Sequence, residues 1–455
     1  MKDKIFIANG QGFWGDSIDA PVHLVQGGQL DYLTLDYLAE VTMSIMQRQK
    51  LKKPELGYAT DFVQLIERIL PTIVEKNIKV IANAGGVNPE ACRQALFAVA
   101  KKLGIKGLKI GVVYGDNILP RISEMETKQI PMKSMDTGES LYDLMKQGRD
   151  ILSANVYMSS LPLVEALQKG AQIVVAGRTT DTGLAMAPMI YEFGWSFDDW
   201  NKLAAGTVAG HIIECGAQCT GGNFTRWQDV PDMWNIGYPV VEAYPDGTFY
   251  VSKHENTGGM VTVDTVSEQL VYEMGDPHNY ITPDVIADFT SIRLEQAGKD
   301  RVKVFGVQGK PSTEFYKVSA SYLKGYKATG QLTISGPDAL PKAKLAAEVL
   351  WKRLTRAGME YEETHTEFLG VNTCHEGMVA IPNPINEVVL RVGVKDKDQK
   401  KVDRFGKEIA PLVTSGPPGV TGFAGGRPKP QEIVAFFPCL IPKHLIETTV
   451  SVEEV

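Results

Sequence analysis

Between residues 211 and 224 the chain reads HIIECGAQCTGGNF, which sets a histidine, a glutamate and two cysteines just ahead of a glycine pair. Those residue types support metal ligation, a thiol nucleophile, or proton transfer within a His–Glu pair. Spacing orders the three. On a helix beginning at Ser196, with Asp199 as a variant capping box, the apolar stripe through Trp200, Ala204 and Val208 extends to His211, Ile212, Cys215 and Cys219. These residues are therefore read first as a core stripe. His211 with Glu214 is read second, as an acid/base pair at the helix end nearest the GGN turn that carries Asn223, a candidate substrate contact. Metal comes third, because H-x-x-E-C is not H-E-x-x-H and a fourth zinc ligand is missing locally.

A second group of chemical residues sits in loops that follow apolar, β-rich runs. KIFIANG leads into GQGFWGD with Asp16, and LDYLTLDYL ends near Asp36 and Glu40. IKVIANAGG opens NAGGVNPE with Asn83, Gly85, Gly86 and Asn88; LKIGVVYGDN exits at Asp116; AQIVVAGRTTD exits at Arg178, Thr179, Thr180 and Asp181. The Asn88-Pro89 step is a helix start whose free N–H groups suit a carboxylate or phosphate, with Gly85 and Gly86 allowing close approach or merely making a tight turn. Neither G-x-G-x-x-G nor G-K-[ST] is present there, so NAD, FAD and P-loop nucleotides are not expected. Arg178 suits bidentate carboxylate binding, and Asp181 is either a base or the cap of the following helix. Asp16, Asp36 and Asp116 are hard oxygen ligands at one edge, so a divalent cation is a candidate cofactor.

The elements that must position these loops alternate. Helical patterns in AEVTMSIMQRQK, DFVQLIERILPTIVEK, PEACRQALFAVAKKLG and LPLVEALQKG fall between the β-rich runs, which predicts an α/β domain with a doubly wound, mostly parallel sheet over residues 1–225. Ligands of such a sheet lie beyond the carboxyl ends of its strands. Residues 117–150 lack strand pattern and are read as a surface excursion of the kind that forms lids. Residues 226–320 are read as an irregular α+β insert with a hairpin in VVEAYPDGTFYVSK, followed by a loop with His254 and Glu255. Residues 321–455 show β-α-β twice, a ferredoxin-like β-α-β-β-α-β unit, with Arg427 and Lys429 in a glycine-rich loop able to close over an anion. Helices on one face only of that unit leave the other face for a partner.

Composition narrows the partners. With 455 residues, 44% hydrophobic and 22% charged, the chain is in the range of soluble multi-domain proteins, and no segment approaches the ~20 apolar residues of a membrane span. MKDKIFIANG is far short of a signal peptide, so a cytoplasmic protein is expected. Five scattered cysteines without C-x-x-C argue for free thiols. A net charge of -7 without a basic stripe removes the footprint of nucleic-acid binding and favours a small anionic substrate.

GFWGDS, DYLTLDYLAEVTMSI, NAGGVNPEAC, AGRTTDT, LAAGTVAGHIIECGAQCTGGNF, YEMGDPHNYITPDVIADF and the GPPG to FAGGRP run together resemble the acyclic terpene utilisation (AtuA) family over essentially the whole chain. The resemblance implies a role in catabolism of branched and terpenoid acids. It also implies a further small domain that many relatives carry, here expected from a separate companion subunit, alongside or instead of a homo-oligomer. The leading expectation is a hydro-lyase (hydratase/dehydratase) on a branched unsaturated acid or its acyl-CoA ester. In it Asp36 or Glu40 is the base, Arg178 and the Asn83–Asn88 loop the anion site, and His211 or Glu214 the acid. The alternatives are a non-catalytic acyl-CoA or carboxylate-binding subunit, and a hydrolase using Cys215 or Cys219.

Overall fold

The computed structural model describes residues 2–38, 42–371, 373–375, 377–381, 384–422 and 425–455. The chain forms two compact units, Met1–Ser321 with Phe436–Val455, and Tyr322–Ala435.

In the first unit the β-rich runs become strands β1 (Ile5–Asn9), β2 (Tyr32–Leu35), β3 (Lys79–Ala82) and β4 (Lys109–Tyr114), then β5 (Ile151–Val156) and β6 (Ile173–Ala176). A hairpin follows as β7 (Pro239–Ala243) and β8 (Phe249–Lys253), then β9 (Tyr280–Ile281), β10 (Val285–Asp288), β11 (Arg293–Gly298), β12 (Arg301–Phe305) and β13 (Gln308–Pro311). The long strand β14 (Phe315–Ser335) leads into the second unit, with β15 (Glu363–Leu369), β16 (Glu387–Asp396) and β17 (Val420–Gly422). Strand β18 (Gln431–Pro442) leads back, and β19 (Thr449–Glu454) ends the chain.

Ten strands make one sheet in the order β11-β12-β8-β7-β1-β2-β3-β6-β4-β19. The five central neighbours β1-β2-β3-β6-β4 are parallel. On one side β7, β8, β12 and β11 add antiparallel, and on the other β19 adds antiparallel to β4. The sheet is therefore mixed rather than mostly parallel. The reason is local: the 239–253 hairpin pairs with the free edge of β1 rather than starting a sheet of its own, so the sheet runs on across residue 225.

Both faces of the parallel strands are apolar, as burial on both sides requires. Ile5, Ile7, Ile81 and Val113 face helices Gly183–Phe193 and Trp200–Glu214, whereas Leu33, Val80, Val112 and Val175 face helices Thr60–Glu75 and Pro89–Lys102. The Trp200–Glu214 helix is buried at every position from Leu203 to Ile213. It thus has no single apolar stripe; a helix apolar all round is a core helix. Its glycines make that possible, since a Cβ on Gly210 would stand 2.5 Å from the Thr182 carbonyl oxygen.

Two details of this helix differ from the sequence reading. It starts at Trp200, because the Ser196 hydroxyl is taken by Asp198 and Asp199 makes no side-chain cap. It ends at Glu214, because Gly216 takes a left-handed φ of 60°, so Cys219 lies in a separate 3₁₀ turn, Gly216–Thr220, and not on the helix. Asn9 closes the end: its amide donates to the carbonyls of Ile213 and Glu214, both at 2.9 Å, and of Gln11 at 3.0 Å.

The 117–150 excursion carries short helices at Ile122–Thr127 and Leu141–Lys146, and the Met135 N–H donates to Pro438 O at 2.8 Å. In the second unit helices Ala339–Arg356 and Gln399–Ile409 share one core with β14 and β16. Strand β16 lies antiparallel between β15 and β14, and both β17 and β18 also pair with β14. Among the described residues no helix is long and apolar enough to cross a membrane.

Replacing Asn9 with alanine strips buried helix-end carbonyls of their donor, and a loss of about 1–3 kcal/mol is expected. A urea midpoint for Asn9→Ala equal to that of the parent chain would show that water replaces the amide without loss.

Candidate active site at the strand ends of the first unit

Parallel neighbours bring their carboxyl ends to one edge, and Arg178 is the residue around which that edge is built. Although it carries a full charge it is 1% exposed. Its backbone N–H donates to Asp116 at 2.9 Å, and its guanidinium bonds the Leu38 carbonyl, pairs with Asp181 at 2.9 Å and lies 4.1 Å over the Tyr157 ring. Asp116 also accepts from Asn155 at 2.8 Å, and burial pushes its carboxyl up to about 6 against these bonds. Asp36 accepts from the Asn83 amide at 2.6 Å and the Leu38 N–H at 3.1 Å. Burial raises its carboxyl above the usual range, the Arg178 charge opposes this, and Glu214 adds to it.

The His–Glu pair of the sequence reading forms. His211 Nδ1 is 3.0 Å from Glu214 Oε1, and Nε2 is 3.0 Å from the Gln269 carbonyl. Since a carbonyl only accepts, Nε2 carries a proton, and a second proton is shared between Nδ1 and the carboxyl. Burial pulls the imidazole down, but Glu214 and the Gln269 carbonyl outweigh it and leave His211 above its ordinary value. Burial raises Glu214, and His211 offsets this only in part. Both directions describe one tightly held proton. Glu214 Oε2 is buried without a hydrogen-bond partner among the described residues. The Tyr280 hydroxyl stands 3.5 Å from Nδ1, and burial keeps its phenol protonated far above neutrality.

Tyr280 also lines a cavity of about 390 Å³, together with Tyr157, Thr180, Asp181, Phe315 and Lys317. The cavity thus lies beyond the carboxyl end of β6, with the His211–Glu214 pair behind Tyr280. The 117–150 excursion contributes Met135 to its lining. Thr179 is buried, with its hydroxyl donated to the Thr180 carbonyl.

Other predicted residues fall elsewhere. Gly86, Asn88 and Asp116 line a different cavity of about 320 Å³ that also holds Glu90. The glycine pair there serves packing: Gly86 has φ 53° and its Cβ would lie 2.2 Å from Met46 Sδ, while a Cβ on Gly85 would lie 2.7 Å from the Ala176 carbonyl oxygen. Asn88 donates to the Pro54 and Leu56 carbonyls at 2.9 and 2.7 Å instead of capping its helix. Asp181 pairs with Arg178 and likewise makes no cap. Asp16 holds its own turn, accepting from Gly12 N at 2.9 Å and Tyr238 Oη at 2.6 Å. Asn223 is exposed, Arg427 is an exposed residue of the second unit, and Glu40 lies outside the described residues. Among the described residues no three His, Cys, Asp or Glu side chains are grouped to hold an ion.

The thiols are poor nucleophiles. Burial pushes Cys215 up to about 12 and Cys219 higher still, which suppresses the thiolate. Tyr157, Tyr280 and Lys317 are the residues that sequence reasoning did not assign. Only Tyr280 had a signal, its place within the quoted YEMGDPHNYITPD stretch.

The family model described as acyclic terpene utilisation family protein AtuA matches residues 5–452. No curated protein and no solved structure matches the chain.

Because the folded pair binds its proton more tightly than the unfolded chain does, its contribution to stability is full below the unfolded histidine value of ~6.5 and is lost as pH rises through the folded value. In Glu214→Gln the burial of His211 is opposed less, so its titration, followed by imidazole ¹⁵N shifts, is expected to move to lower pH. An unmoved titration would separate the two residues electrostatically.

Proposed function

The chain belongs to the acyclic terpene utilisation family, and from that premise we propose that it is a hydro-lyase acting on a branched unsaturated carboxylic acid or its thioester. The observation that carries this reading is the buried His211–Glu214 proton-sharing pair set behind Tyr280 at the cavity wall. Reversible addition of water to a carbon–carbon double bond needs a base at the α carbon, an acid at the β hydroxyl, and donors that hold the carboxyl group.

Among the described residues Asp181 is the carboxylate that lines the cavity, and it is the base of this proposal, held in place by Arg178. Asp36, turned onto Asn83, supports the site rather than touching substrate. In the dehydration direction Asp181 takes the α proton and the C–H electron pair becomes the second carbon–carbon bond. The β hydroxyl leaves as water with the Tyr280 proton. The His211–Glu214 pair reprotonates the phenol, and the proton on Asp181 returns through solvent to the pair. The 3.5 Å contact between Tyr280 and His211 is long for proton transfer; such contacts shorten in substrate complexes.

The alternative, a binding subunit without turnover, shares the cavity but has no use for the buried proton. The two readings separate in D₂O. A hydro-lyase incorporates deuterium at the α carbon of product, and Glu214→Gln and Asp181→Asn each slow this at least about a hundredfold while retaining ligand binding. Exchange at the background rate in the parent chain, with binding intact, would favour the subunit.

A further inference from the structure

We infer that the cavity takes its ligand as a free carboxylate, head inward against Lys317, and not as a coenzyme A thioester. This rests on the proposal that the cavity is the substrate site, and it selects between the two substrate classes left open there.

Among the described residues three charged side chains bear on the cavity, and two of them already neutralise each other. Asp181 pairs with Arg178 at 2.9 Å, and that guanidinium is also committed to the Leu38 carbonyl. Lys317 is different. It lines the cavity with its ammonium 4.9 Å from the centre of the Tyr157 ring and 5.6 Å from that of Phe436, and among the described residues its ammonium has no carboxylate partner. Aromatic faces attract a cation but do not cancel its charge. The Tyr157 N–H donates to the Lys317 carbonyl at 2.9 Å, which fixes the two side chains side by side, with Arg178 on the same ring. An anionic head group entering the cavity completes the pairing that the described residues leave open.

The mouth supports the same conclusion. Met135, Ile281, Phe315 and Leu440 all line the cavity and are all exposed, an unusual set of large apolar groups to leave in water. An acyl chain leaving the cavity would cover them. A thioester would reverse the match, presenting an uncharged carbonyl to Lys317 and carrying its diphosphate and nucleotide out over apolar side chains.

Titration calorimetry with a branched medium-chain unsaturated carboxylate, its methyl ester and its coenzyme A thioester tests this on the full chain. The carboxylate is expected to bind at least about tenfold more tightly than either ester, a difference of ~1.4 kcal/mol. Lys317→Met, which keeps the apolar stem, should remove that preference while leaving methyl ester binding unchanged, and Lys317→Arg should retain most of it. Thioester binding as tight as that of the acid overturns the inference without any variant being needed, as does an undiminished preference in a folded Lys317→Met. Because the readout is binding, a chain that discriminates in this way but shows no α-carbon exchange would keep the carboxylate site and sink the hydro-lyase reading.

Discussion

A guanidinium withdrawn from water must have its charge answered locally, and the edge of the first unit is organised around that requirement at Arg178. Among the described residues three chain segments answer it, and a fourth fixes the backbone from which the side chain springs. The end of β4 supplies Asp116 to the backbone, the loop after β2 supplies the Leu38 carbonyl, the turn after β6 supplies Asp181, and the chain after β5 supplies the Tyr157 ring. Removing any of the last three leaves the buried ion short of a partner, and removing Asp116 leaves a buried backbone N–H without its acceptor, so these segments are held in a single arrangement. The cavity wall inherits that rigidity through Tyr157 and Asp181.

The same low-polarity surroundings govern the acids. Asp36, Asp116 and Glu214 are all raised by burial, and each is held back by specific donors rather than by solvent. A helix buried along its whole middle can carry His211 into this environment only because its neighbours approach closely. Gly206 against Met186 and Gly210 against Thr182 let the Trp200–Glu214 helix lie where a larger residue would hold it off. The proton-sharing pair is thus a product of packing as much as of residue type.

Much of this edge was legible in the sequence. The five parallel strands announced themselves as apolar runs ending in polar loops, and parallel pairing then forces Asp36, Asn83, Asp116 and Arg178 to one end. His211 and Glu214, three apart on a helix, are neighbours whatever surrounds them. What was hidden came from segments whose placement depends on distant pairing. Lys317 sits in a strand that alternates like any other, and nothing in KVSASYLKGYK marks one lysine as facing a cavity. The glycines of NAGGVNPE looked like an anion cradle because tight packing and ligand approach ask for the same residue; only the atoms facing Gly86 tell them apart. Strands β5 and β19 escaped because polar residues, Ser153 and Asn155 in ILSANV and Thr449, Ser451, Glu453 and Glu454 in TVSVEE, break up the apolar runs by which the other strands were found.

Strand β19 has a consequence for how the chain reaches its fold. It pairs with β4 in a register that sets Lys109 opposite Glu454, so this edge of β4 is closed by a segment more than three hundred residues later in the sequence. The whole second unit is synthesised in between. Until then β4 presents an open row of N–H and C=O groups, the kind of edge that recruits strands from other chains. The first unit is therefore committed to a long wait and a late, distant closure, a topology that slows folding and leaves a nascent chain dependent on protection from its neighbours.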